Sequence, residues 1–109
     1  MKYGNKKVYI DGITFDSKKE ANRYGELKIL ERAGLICGLR LQEEFTLIPA
    51  QYIDGKCVER AVKYKADFYY YDCDKEQYVC EDTKGFRTKD YIIKRKLMLY
   101  IHNIRIVEI

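Results

Sequence analysis

The chain has 109 residues, of which 47% are apolar and 35% charged, and it carries a formal net charge of +4. That length fits one domain able to bury its own core, and this balance excludes a disordered chain. No apolar run reaches the roughly 18 residues of a membrane span, and the N-terminal "MKYGNKKVYIDG" lacks a signal-peptide core, so the chain reads as cytoplasmic, with no membrane partner.

In chain order, "KVYIDGITF" holds two short β-prone runs around Asp11-Gly12. Asp-Gly accepts the positive φ angles of a type I′ turn, so residues 8–15 read as a hairpin. Next, Ser17 and Glu20 have the spacing of a capping box. Ala21, Leu27, Ile29, Leu30 and Ala33 continue a helical pattern that Gly34 stops, which predicts a helix over 17–33. Glu20, Tyr24 and Leu27 fall on one stripe of it. A carboxylate on a buried stripe is costly unless it is paired or metal-bound.

Residues 39–48 read as a strand that Pro49 breaks, and Asp54-Gly55 marks a second hairpin. Residues 61–71 alternate: Val62, Tyr64, Ala66 and Phe68 to one side, Lys63, Lys65 and Asp67 to the other. "DCDKEQ" is a turn, and residues 77–84 form the next strand. Thr88 caps a helix over about 88–102, with an apolar stripe of Ile93, Leu97, Tyr100 and Ile101, and "IRIVEI" closes the chain as a short strand. The order is that of an α/β sandwich with a mixed sheet.

Cysteines 37, 57, 73 and 80 form no C-x-x-C pair, and His102 is the single histidine, so zinc spacing is absent. Basic residues cluster late. Between Lys84 and Arg105 stand Lys84, Arg87, Lys89, Lys94, Arg95, Lys96 and Arg105 against Asp90 alone; seven cations and one acid give +6. Such a cluster is either a polyanion-binding face or a solvated helix face.

Three carboxylates stand out: Glu20, Asp67 and Asp82, with Lys84. In a regular strand Asp82 and Lys84 leave one face and Glu81 the other. An aspartate on each of two adjacent strands suits Mg²⁺, which takes oxygen ligands and keeps several waters. Each residue read alone is equally a solvated or structural one.

The stretch "KADFYYYD...YVCEDTKGF" resembles the PD-(D/E)xK nuclease superfamily, whose motif is an aspartate, a hairpin's length of chain, and then acid-x-Lys. Asp67 matches the first position and Asp82-Thr83-Lys84 the second; Ala66 stands where the motif has proline, and Glu81 leaves the register open by one residue. Many members carry a glutamate on the first helix, which Glu20 matches. "GITFDSKKEANRY", "ADF", "EDTKG" and "TKDYIIKRKL" further resemble a family of small phage-encoded proteins similar to Holliday-junction resolvases.

The resemblance implies a single nuclease domain over 1–109. Its restriction-endonuclease-like core, 17–109, would be a mixed β-sheet flanked by helices in the order αβββαβ, preceded by the hairpin at 8–15. It implies Mg²⁺- or Mn²⁺-dependent hydrolysis of DNA, branched DNA above all, by a homodimer in a phage-infected or lysogenic host. Asp67, Asp82, the Thr83 carbonyl and Glu20 would serve the metal. Lys84 would stabilise charge on the attacked phosphate, and Arg87, Lys89, Lys94 and Lys96 would meet the DNA backbone. The rival reading is a non-catalytic phage DNA-binding or recombination accessory protein.

Overall fold

Turn chemistry starts the chain as expected. The computed structural model of the chain describes residues 6–83 and 87–109. β1 (Val8–Ile10) pairs antiparallel with β2 (Ile13–Phe15). Asp11 and Gly12 between them have φ of 54° and 75°, the two positive angles of a type I′ turn. β4 (Gln51–Ile53) and β5 (Lys56–Glu59) repeat the device at Asp54 and Gly55, with φ of 50° and 79°.

Helix α1 (Lys18–Arg32) begins at Ser17, whose hydroxyl accepts the Glu20 N–H at 3.1 Å. Glu20 reaches back one residue further than a capping box requires, to the Asp16 N–H at 3.3 Å. The helix ends in a Schellman motif: Gly34 N–H donates to Glu31 C=O and Leu35 N–H to Leu30 C=O. Gly34 carries the required positive φ, 77°.

Four strands form the main sheet: β3 (Ile36–Ile48), β6 (Val62–Asp72), β7 (Gln77–Asp82) and β8 (Val107–Glu108), in that spatial order. β8 runs parallel to β7, with Glu81 opposite Val107 and Asp82 opposite Glu108. Between β7 and β8 the chain forms α2 (Lys89–His102), capped by the Thr88 hydroxyl, which accepts the Tyr91 N–H at 3.1 Å. The result is a mixed α/β fold with the expected helix, three strands, helix, strand order, with the β4–β5 hairpin inserted and a hairpin in front. Among the described residues no helix is long and apolar enough to cross a membrane.

Contacts divide the chain into two compact units. The first is Met1–Leu39 with Tyr70–Tyr78. Here the N-terminal hairpin packs on α1: the Phe15 and Tyr24 rings lie 5.0 Å apart, and the Tyr24 hydroxyl donates to Asp11 Oδ2 at 3.0 Å. Glu20, Ala21, Tyr24 and Leu27 are the buried residues of α1, which is the stripe the sequence gives to Glu20.

The second unit is Arg40–Tyr69 with Val79–Ile109. Its core joins Leu47, Tyr64, Ala66, Cys80, Tyr91, Met98 and Ile106. The expected α2 stripe is wrong. Tyr91 and Met98 are its buried residues, whereas Ile93 is 56% and Tyr100 88% exposed. α2 is apolar on several sides, so periodicity cannot choose a face. Tyr91 decides it, because its hydroxyl meets Glu108 of β8 at 2.6 Å while its ring fills the core.

Candidate active site

The second unit buries carboxylates at the end of β7 and beside it on β6. Asp67 is 8% exposed, and Glu81 and Asp82 are 1% each. Their neighbours Lys63 and Lys65 are exposed. The expected solvated face of β6 therefore ends at Lys65: Ala66, Asp67 and Phe68 are buried in succession. Val62, Tyr64 and Ala66 border the core in even register, but so does Tyr69. The alternation breaks between Ala66 and Tyr69, at Asp67.

Each aspartate has its own partner. Asp67 Oδ2 accepts both the Thr83 N–H and the Thr83 hydroxyl, each at 2.8 Å. Asp82 Oδ2 accepts the Tyr64 hydroxyl at 2.6 Å. Charge-assisted O–H···O⁻ bonds have this length. Burial first, and then the Asp82 bond, pushes the Tyr64 hydroxyl well above the ordinary tyrosine range. It is thus a fixed donor at neutral pH.

The expected convergence of Asp67 and Asp82 on one sheet face is not what these contacts describe. Cys80 and Asp82 alternate onto one side of β7, and Cys80 shares the core with Tyr64 and Tyr91. Asp82 is therefore turned into that core. Glu81 has the parity of Thr83, the residue whose side chain meets Asp67. The acid that shares Asp67's side is Glu81, one residue before the position the motif favours. All three acids act on Cys80, whose thiol is pushed up to about 12 by burial first and then by Asp82, Asp67 and Glu81.

Glu20 belongs to the first unit, where it is 6% exposed and serves the start of α1. Lys84 lies outside the described residues. Among the described residues no three His, Cys, Asp or Glu side chains are grouped as around a bound cation. The donor chemistry still fits a hard ion: Asp67 and Glu81 offer carboxylate oxygen from adjacent strands, and Mg²⁺ needs only one or two protein carboxylates beside its waters.

The basic residues divide. Arg87 Nε and Arg95 Nη1 both pair with Glu108, at 2.9 and 3.1 Å. With the Tyr91 hydroxyl first and the two arginines after it, they hold the Glu108 carboxyl below its ordinary value. Arg87 is thus committed within the chain, contrary to its expected role at the DNA backbone. Lys94 lines a cleft of about 360 Å³ with Lys63, Lys65, Tyr64 and Thr88. Lys96 lines another, of about 290 Å³, with Arg95 and Arg105. Lys89 is exposed at the start of α2. Sequence reasoning missed Tyr64 and Tyr91 as carboxylate donors, and Lys63 and Lys65 as cleft residues. The one available signal was the abundance of tyrosine in strands that also carry acids.

The family described as "Protein of unknown function (DUF1064)" matches residues 1–107, and the chain belongs to that family. No curated protein and no solved structure matches the chain.

Proposed function

We propose that the protein is a metal-dependent deoxyribonuclease that hydrolyses phosphodiester bonds, with branched DNA as its substrate and a homodimer as its working form. The observation that carries this reading is the burial of Asp67, Glu81 and Asp82 where β6 and β7 lie side by side. Buried carboxylates are costly without donors or a cation. A chain that needed only stability has no use for three together.

Asp67 and Glu81 would hold the ion, Mg²⁺ or Mn²⁺, with Asp82 as the alternative that the acid-x-Lys motif prefers and the Thr83 carbonyl and Glu20 as further candidates. Bound there, a divalent ion supplies Lewis acidity toward a phosphoryl oxygen. The chain's own groups do the rest. Thr83 fixes the Asp67 carboxylate through two hydrogen bonds. Tyr64 holds Asp82, and with it the end of β7, in the core. Lys84 would stabilise negative charge that develops on the phosphate. Lys63, Lys65 and Lys94, which line one cleft, would receive the phosphates of the strand, with Lys89 and Lys96 beside them in the sequence.

The test is cleavage of a four-way junction and of its linear arms by purified protein in Mg²⁺. Cleavage of the junction is expected, lost in Glu81→Gln and Lys84→Ala, with DNA binding retained in the lysine variant because its work lies in the transition state. Binding without cleavage under any divalent ion would replace the enzyme with the accessory DNA-binding protein. The lack of a three-residue metal group among the described residues favours that second reading.

A further inference from the structure

Two of the four thiols meet. Cys37 is the second residue of β3, and Cys73 follows β6 directly. Both belong to the first unit and both are exposed. The Cys73 N–H donates to the Leu35 carbonyl at 3.0 Å, which anchors the chain leaving β6 beside the start of β3. Cys37 lies two residues further along β3, so its side chain leaves the same side as that of Leu35. The Cys37 and Cys73 side chains are joined by a hydrogen bond, which holds the sulfurs in contact. The other two cysteines have different surroundings. Cys57 lies exposed on β5, its thiol donating to the Glu59 carbonyl at 3.3 Å, and Cys80 is buried among the acids.

We propose that Cys37 and Cys73 form a redox-modification site, closing into an intramolecular disulfide by exchange with a low-molecular-weight disulfide such as oxidised glutathione. One cysteine thiolate attacks a glutathione sulfur, the glutathione S–S bond breaks, and the departing thiolate takes up a proton. The second cysteine, as its thiolate, attacks the mixed disulfide at the protein sulfur and releases the second glutathione. The protein is oxidised by two electrons and loses two hydrogens; one glutathione disulfide becomes two thiols. The second step outruns capture by another molecule because the partner sulfur is already held beside the first. The closed ring spans residues 38–72 and ties the start of β3 to the end of β6, restricting the unfolded chain and raising the melting temperature.

The experiment incubates the full chain with oxidised glutathione, alkylates it under denaturing conditions and maps peptides by mass spectrometry. The expected product is a Cys37–Cys73 linked peptide, with no glutathione on either residue, Cys57 carrying glutathione or the alkyl label, and Cys80 carrying the label. Cys73→Ser should carry glutathione on Cys37 instead, and Cys37→Ser should carry it on Cys73. Separate glutathione adducts on Cys37 and Cys73 of the unsubstituted protein would overturn the proposal. So would free thiols at both, or a disulfide between two chains.

Discussion

Tyr64→Phe removes one oxygen atom and tests whether Asp82 is a structural acid. The Tyr64 hydroxyl donates to Asp82 Oδ2 at 2.6 Å, and the two residues are 2% and 1% exposed. A hydrogen bond to a charged group contributes about 1.5–3 kcal/mol, and the carboxylate left behind keeps its desolvation cost. In a chain of this size each kcal/mol moves the melting temperature by about 4–8 °C, so a loss of about 2 kcal/mol lowers it by about 10 °C. Tyr91→Phe is the matched control. It too removes a 2.6 Å bond to a carboxylate, but Glu108 retains Arg87 and Arg95. Its cost should stay near 1 kcal/mol, or about 5 °C. Thermal unfolding followed by far-ultraviolet circular dichroism measures both. A Tyr64→Phe loss no larger than that of Tyr91→Phe would refute the structural role of Asp82.

Three further outcomes are expected. Titration calorimetry with Mn²⁺ should show binding that Asp67→Asn and Glu81→Gln abolish and Tyr64→Phe leaves within about threefold; survival in Glu81→Gln with loss in Asp82→Asn would return the site to the acid-x-Lys register. Stability should fall in acid: the Glu108 carboxyl is held below its ordinary 4.5 by Tyr91 first, and that of Glu31 by Lys28 first. A lowered folded value gives stability that is complete above the unfolded value and lost as pH drops through the folded one, so the melting temperature should drop between about pH 5 and pH 3, and Glu108→Gln should flatten that drop; an unchanged slope would remove Glu108 from the account. Finally, Cys80, its thiol at about 12, is roughly one part in ten thousand thiolate at pH 8 and should resist iodoacetamide in the native protein while Cys57 reacts, which peptide mapping would contradict by finding both labelled at one rate.

Local chemistry made much of the fold legible. Asp-Gly at 11–12 and 54–55 and Ser17 before α1 act within a few residues, so each feature needed no knowledge of the rest of the chain. α2 shows where that kind of reasoning stops. Ile92, Ile93, Leu97, Met98, Leu99, Tyr100 and Ile101 leave it apolar over most of its circumference. Which stripe turns inward depends on Tyr91 reaching Glu108, seventeen positions along the chain, and no periodicity encodes that bond. Arg87 and Arg95 were misjudged for the same reason, since the acid that occupies both lies in β8.

The acids show the limit most sharply. Sequence placed a pair of carboxylates on adjacent strands, and both are buried there. It assigned Asp82 to Asp67 by assuming that β6 and β7 alternate without interruption. β7 does alternate, and that is what sends Asp82 to Tyr64 in the core and Glu81 to the other side. The interruption is in β6, across Asp67 and Phe68, where three successive residues are buried and the core-facing register passes from even to odd. A break of this kind re-aims one side chain and leaves the rest of the strand in place. Asp67 is the residue so re-aimed, and it meets Thr83 rather than joining Lys63 and Lys65 in solvent. The pair Glu81-Asp82 then has a physical division of labour: adjacent residues of a strand face opposite ways, so one acid can anchor the strand to the core while its neighbour stays with Asp67.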